Sequence, residues 1–151
     1  MKAVEELRYL VLALQREGNR IFAADLRPLG VTPSQAEVLT VLARRQPLTL
    51  AGLGELLVCE TGASPSRLVD RLVKQGLVAR DEDDDDRRYV TLQLTRDGAR
   101  LAKRIAAVEA ALHATLADLA GGAPLEPALE VLRQLTDNLP AGRALALRRT
   151  D

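Results

Sequence analysis

Short polar and basic side chains recur between residues 64 and 75 with the types and spacing needed to bind an anionic partner. The basic members follow at steps of three and four, at Arg67, Arg71 and Lys74. Such steps place side chains on one face of an α-helix, while the leucines of the segment fall on the opposite face. Arginine can donate two hydrogen bonds to a guanine edge, and lysine suits a phosphate. The segment is therefore predicted to read double-stranded DNA.

The start of this helix supports the same interpretation. Ser64 is a favoured N-cap residue, and Pro65 suits the first helical position because its missing N–H would have no helical partner there. Free backbone N–H groups at a helix N-terminus attract anions, and Ser66 can donate to a base edge or a phosphate. Charge is also the default on a solvated helix face, so the interpretation depends on the neighbouring elements.

A charged hairpin is predicted directly after this helix. Residues 77–80 and 89–94 have the composition of two strands, and the second alternates apolar and polar side chains. The residues between them include six consecutive acids at 81–86 and then Arg87 and Arg88, a segment too charged to be buried. At a protruding tip, the two arginines are placed to enter a DNA minor groove, where negative potential concentrates.

Helices are predicted on both sides of the hairpin. One amphipathic helix covers residues 3–25, and Thr32 with Gln35 forms a capping-box signal for a second one that ends near residues 45–47. A short helix at 50–57 followed by the helix at 64–75 indicates a helix-turn-helix. After Thr95, a long helix runs toward residue 120 and another covers about 124–138. The tail after residue 140 has no clear assignment.

Composition excludes several classes of protein. The 151 residues carry 21 basic and 21 acidic side chains, so a uniformly positive nucleic-acid binder is excluded, although a local basic patch is not. Because six of the acids lie at 81–86, the rest of the chain is net positive. Three aromatic residues are too few for a base-stacking platform. We expect a cytoplasmic protein of mainly α structure, because no segment has the pattern of a membrane span or a signal peptide.

The single cysteine and the single histidine do not indicate a metal, a cofactor or an active site. Cys59 follows an apolar helix end, where a small buried core residue is a commoner interpretation than a redox sensor. His113 is expected on the surface of the long helix or in a subunit interface. Neither residue has a second histidine or cysteine for a catalytic dyad, so the protein is not expected to be an enzyme.

Apolar stripes on the first and the long helix indicate a shared interface between two copies of the chain. The long helix spans about 25 residues, or roughly 37 Å, which is long for a domain of this size. The predicted dimer interface consists of residues on these two helices and two on the helix at about 124–138: Val4, Leu7, Val11, Leu14, Leu101, Ile105, Val108 and Leu112, with Leu129 and Leu132.

Three stretches together resemble the MarR family of winged helix-turn-helix regulators. They are 31–39 (VTPSQAEVL), 68–78 (LVDRLVKQGLV) and 86–98 (DRRYVTLQLTRDG). The resemblance implies a homodimer on pseudo-palindromic operator DNA, with the helix at 64–75 in the major groove and the hairpin as a wing. It also implies that Asp70 orients the wing by pairing with a wing arginine, at the position of Arg88.

The fold class is therefore expected to be mainly α with a small β-hairpin wing. One domain, 1–151, is expected to contain a winged helix-turn-helix at 31–98 and dimerisation helices at 1–27 and 96–140. The favoured function is a sequence-specific regulator, a repressor released by a small-molecule effector. The alternative is a winged-helix module that binds protein instead of DNA, and an enzyme is the weakest of the three.

Overall fold

Capping residues, glycine and proline set the boundaries of the helices. The computed structural model describes residues 1–58, 64–82 and 89–150. The helices are α1 (Ala3–Leu26), α2 (Pro33–Arg45), α3 (Leu50–Leu56), α4 (Pro65–Lys74), α5 (Arg96–Ala120), α6 (Leu125–Thr136) and α7 (Pro140–Arg149). The strands are β1 (Leu48–Thr49), β2 (Val78–Glu82) and β3 (Val90–Leu94).

The predicted capping box opens α2. The Thr32 hydroxyl accepts a hydrogen bond from the Gln35 N–H at 3.3 Å, and the Gln35 side chain accepts one from the Thr32 N–H at 3.0 Å. Two donors that the helix cannot satisfy thereby find partners. Gly30, at a φ of +74°, provides the left-handed turn before this start. The sequence signal and the structure agree here.

The predicted hairpin is confirmed, but the sheet is larger than a hairpin. Strands β2 and β3 pair antiparallel, from Val78 opposite Leu94 to Glu82 opposite Val90. The two-residue strand β1 pairs with the other side of β3, which gives the order β1-β3-β2. Strand β2 also extends through Asp81 and Glu82, which the sequence analysis assigned to the tip, because their backbone groups pair with β3. The rest of the tip lies outside the described residues.

The hydrophobic core joins the helix-turn-helix to the long helices. Its fully buried large side chains come from the end of α1, from α2, α3, α4, β2 and β3, and from the first half of α5: Leu26, Val38, Leu39, Leu42, Leu53, Val69, Leu72, Val78, Leu92 and Ile105. The winged region is therefore packed directly on α5 and is not a separate body.

The structure differs from the sequence-based expectations at three points. Ile105 has no exposed surface and packs in the core of its own chain, so it is not available to a dimer interface. The tail that had no assignment forms α7, which begins with Pro140 at its first position. Helix α6 ends at Thr136, slightly before the predicted end, and α7 folds back against α3.

Candidate nucleic-acid interface

Helix α4 is anchored at both ends by local hydrogen bonds. The Ser64 hydroxyl accepts from the Arg67 N–H at 3.4 Å, and Pro65 occupies the first turn. At the other end, the Leu77 N–H donates to the Leu72 carbonyl at 2.9 Å, and Gly76 takes a left-handed φ of +70°. This is the Schellman arrangement, in which glycine is favoured because it has no Cβ.

The two faces of α4 differ completely in burial. Leu68, Val69 and Leu72 are buried in the core. The predicted contact side chains share the other side, where Ser64, Arg67, Arg71 and Lys74 are exposed and Pro65 and Ser66 are partly exposed. Within the described residues, none of the three basic side chains forms an ion pair, so their charges face solvent. The helix therefore presents a row of basic donors on a rigid support.

Asp70 links α4 to the wing. Its carboxylate forms an ion pair with the Arg80 guanidinium of β2, and both side chains are roughly half exposed, at 46% and 41%. The partner expected from the sequence, Arg88, lies outside the described residues, as does Arg87. Arg80 was not the expected partner, because the resemblance pointed to the hairpin tip and Arg80 lies before the tip, in β2.

The turn between α4 and the wing is fastened to the start of α5. The Thr95 N–H donates to the Leu77 carbonyl at 3.1 Å, and the Thr95 hydroxyl donates to the Gly76 carbonyl at 2.6 Å. The same hydroxyl accepts from the Gly98 N–H at 3.0 Å, as the N-cap of α5. One side chain thus fixes α4, β2 and α5 relative to one another.

Helices α1 and α6 carry apolar side chains that are exposed in a single chain. Val4 is 79% exposed and Leu14 is 62% exposed, while Leu7 and Leu132 are half-buried. Leu10, which was not among the predicted interface residues although it lies four residues before Leu14 on the same face of α1, is 60% exposed. Val11 and Leu129 of the predicted interface are also exposed, and three others are partly exposed: Leu101, Val108 and Leu112. Leu101 and Val108 also pack against the core of their own chain.

A groove of about 720 Å³ lies where α1, α5 and α7 meet the helix-turn-helix. Its apolar lining includes Phe22 and Leu112, and its polar lining consists of Gln15, Asn19 and Ser34. Among the described residues that line it, none has an ionisable side chain. Such a groove can hold an uncharged ligand with a few hydrogen-bonding groups.

Other candidate sites are not supported by any cluster in the described part of the chain. His113 is exposed on α5, as expected, and Cys59 lies outside the described residues. Residues 1–58, 64–82 and 89–150 contain no group of three or more His, Cys, Asp and Glu side chains that could hold a metal ion. Their helices include none that is long and apolar enough to span a membrane.

Several known proteins are similar to this chain in both sequence and fold. A MarR-family sequence model matches residues 29–88. The organic hydroperoxide resistance transcriptional regulator of Bacillus subtilis is 32% identical over 104 residues, which cover 69% of this chain and 70% of the relative. The chain belongs to the MarR family. Membership confirms the predicted winged-helix class and makes this protein a transcriptional regulator rather than an enzyme.

Solved structures of MarR-family proteins superpose over most of the chain. A cysteine-to-serine mutant of MarR from E. coli, complexed with operator DNA, matches with a TM-score of 0.76 and 25% identity, covering 88% of this chain and 95% of that one. MepR from S. aureus, also in a DNA complex, shares the fold with a TM-score of 0.73 and 24% identity, over 87% of this chain and 95% of that one. This MarR-family chain therefore has the family's fold from α1 through most of its length.

Proposed function

We propose that this protein is a homodimeric, sequence-specific DNA-binding regulator, and that it represses transcription until a small-molecule effector releases it. The observation that carries the proposal is the basic face of α4, where Arg67, Arg71 and Lys74 point to solvent from a helix whose other face is locked in the core. The two DNA-bound relatives with the same fold support it. Such a protein works in the cytoplasm.

In this proposal α4 lies in the major groove. Arg67 and Arg71 discriminate bases, because a forked guanidinium matches the two acceptors of guanine, while Lys74 contacts phosphate. Ser64, Pro65 and Ser66 form the helix start, which approaches the DNA backbone, and Arg87 and Arg88 reach the minor groove from the wing. Asp70 does not touch DNA but, through Arg80, holds the wing at a fixed angle to α4.

The apolar surface of α1 and α6 supports the proposed dimer. Soluble monomers rarely expose contiguous apolar patches of this kind, and Val4, Leu10 and Leu14 are each at least 60% exposed in one chain. We therefore assign 1–27 and 96–140 to dimerisation and 31–98 to DNA binding, within one domain covering 1–151. Such a dimer would place two α4 helices at the spacing of about one DNA turn, roughly 34 Å, so we expect a pseudo-palindromic operator.

The groove beside α1 supports the proposed effector response. It touches α1 and α5, which belong to the dimerisation region, and also Ser34 and Val58, which belong to the DNA-binding region. A ligand that binds better in one arrangement of these two regions shifts the population toward that arrangement. Because the spacing between the two α4 helices is matched to DNA, a modest shift weakens binding.

Footprinting of the purified protein on genomic fragments tests the proposal. We expect protection of short pseudo-palindromic sites and a steep loss of affinity as salt increases, because displaced counterions dominate binding to duplex DNA. Failure to bind any fragment at low salt overturns DNA regulation and favours the protein-binding alternative. A monomer by sedimentation velocity, at concentrations where DNA is bound, overturns the dimer.

A further inference from the structure

Helix α7 is attached to the helix-turn-helix by an ion pair that is shielded from solvent. The Arg148 guanidinium lies 2.7 Å from the Glu37 carboxylate, and the two side chains are 22% and 8% exposed. The residues are 111 positions apart, so the contact joins the end of the chain to α2. Among the described residues of the chain, Glu37 is the one charged residue that is buried, and it lies among the core residues of α2.

This pair also holds the backbone at the exit of α3. The Glu37 oxygen that meets Arg148 accepts a hydrogen bond from the Val58 N–H at 2.9 Å, and Arg148 donates to the Leu56 carbonyl at 3.4 Å. Helix α3 ends at Leu56, and Leu57 is already extended. Backbone groups at a helix end need partners from outside the helix, and here one ion pair supplies both a donor and an acceptor.

The position of the C-terminal end of α3, here called its exit, affects α4 because the chain continues from this end to α4. Helix α3 has seven residues, too few to be stable by itself in water, so its end is positioned by what packs against it. The angle between α3 and α4 sets how α4 enters a groove. Removing Arg148 takes its positive charge away from the buried Glu37 carboxylate, which favours rearrangement around Glu37.

Helix α7 is itself held in place from two sides. A methyl group at Gly142 would overlap the Thr136 carbonyl oxygen and lie 2.6 Å from its carbonyl carbon, so α7 approaches the end of α6 as closely as glycine allows. On the other side, the Arg45 guanidinium donates to the Leu147 carbonyl at 2.6 Å. Helix α7 therefore bridges the dimerisation helices and the helix-turn-helix.

We propose that Arg148 and Glu37 are positioning residues for DNA binding, through which α7 fixes the exit of α3 and thereby the orientation of α4. Neither side chain contacts DNA in this arrangement, because both face the interior between α2, α3 and α7. The inference rests on the proposed DNA binding. The inference extends the proposed function, because it gives helix α7 a part in orienting the helix that reads DNA.

The test compares Arg148→Met with Arg149→Met in the full-length protein. Methionine keeps most of the apolar stem while removing the charge, and Arg149 is the exposed neighbour on the same helix. The DNA probe is the duplex that the unaltered protein selects from a randomised library. We expect Arg148→Met to weaken binding about tenfold, the scale of one charge-assisted hydrogen bond, and Arg148→Lys to recover part of the loss.

The salt dependence of affinity separates positioning from direct contact. Loss of one phosphate contact lowers the slope of log affinity against log salt by about 0.9, whereas a positioning residue leaves the slope unchanged. We expect the slope of Arg148→Met to equal that of the unaltered protein. Unchanged affinity, or a slope lowered by one phosphate contact, overturns the proposal.

Hydrogen exchange of the Val58 amide tests the structural step without DNA. We expect about tenfold faster exchange in Arg148→Met and in Glu37→Gln, no change in Arg149→Met, and no further increase in the double variant, because the two residues act through one contact. Equal protection in all variants overturns the inference. If the unaltered protein binds no duplex, the proposed function fails, and faster Val58 exchange in Arg148→Met still shows that α7 holds the exit of α3.

Discussion

The turn between α4 and the wing packs directly against Gly98 of α5. Adding one methyl group at Gly98 tests how closely the turn and α5 are packed. At Gly98 the methyl would overlap the Leu77 carbonyl oxygen and lie 2.9 Å from its carbonyl carbon. Carbon atoms in ordinary contact are about 3.5–4.0 Å apart. Gly98→Ala must therefore push the turn away from α5 and stretch the hydrogen bonds that Thr95 makes to Leu77 and Gly76.

Three contributions set the expected change in the free energy of unfolding. Replacing glycine by alanine inside a helix usually stabilises by about 0.5–1 kcal/mol. Overpacking costs about 1–3 kcal/mol, and loss of one junction hydrogen bond costs about 1 kcal/mol. The unfavourable contributions are larger, so we expect Gly98→Ala to destabilise the protein by about 2 kcal/mol.

Gly54→Ala in α3 is the matched control. Among the described residues, a methyl group at Gly54 meets only a Pro65 side-chain carbon, at 3.9 Å. The helix preference of alanine should therefore prevail and stabilise the protein by about 0.5–1 kcal/mol. Urea denaturation followed by circular dichroism, at one fixed protein concentration, measures both variants. A Gly98→Ala protein as stable as the unaltered one would refute the close packing of the junction.

Three further predictions concern the wing, the dimer and the groove. Arg80→Ala should change the free energy of unfolding by less than about 1 kcal/mol, because the ion pair with Asp70 is half exposed. The same variant should bind DNA more weakly, because the wing is no longer held against α4. Urea denaturation and a DNA-binding titration measure the two effects, and an unchanged DNA affinity would contradict the wing-orienting role of Asp70 and Arg80. Leu14→Asp should convert the dimer to monomers in sedimentation velocity, because a charge would be buried in the interface; a variant that stays dimeric contradicts the assignment. In the groove, 1-octanol should bind, raise the melting temperature of the protein and release it from DNA. Octanoate, which has the same chain length, should do neither, because no basic side chain among the described lining residues offsets the desolvation of its carboxylate. Gly18→Leu fills the groove and should abolish the octanol effect, and an equal response to both compounds would contradict an uncharged ligand.

Local signals made most of the helices predictable. Thr32, Ser64 and Thr95 each begin a helix by accepting a backbone N–H in the first turn, and such caps depend on residues only three positions apart. The hairpin was predictable for a similar reason, since strand alternation and a charged turn lie close together in sequence. The basic face of α4 follows from helical spacing alone.

Long-range contacts explain what the sequence did not predict. Helix α7 lacks a clear apolar stripe, and its place depends on Arg45 and Glu37, each about a hundred residues away. Strand β1 has two residues and exists because β3 lies beside it. Ile105 falls in the apolar stripe of α5, but periodicity cannot separate a side chain that faces its own core from one that faces a second chain.

Binding of the unaltered protein to its operator and to a scrambled duplex, over a range of salt concentrations, tests the central claim that α4 reads DNA. The account predicts that Arg67→Ala and Arg71→Ala each lose about 1–3 kcal/mol of preference for the operator, while Lys74→Ala weakens both duplexes about equally and lowers the salt slope by about one contact. Arginine variants that keep the full operator preference, or an unaltered protein that binds neither duplex at low salt, would contradict it.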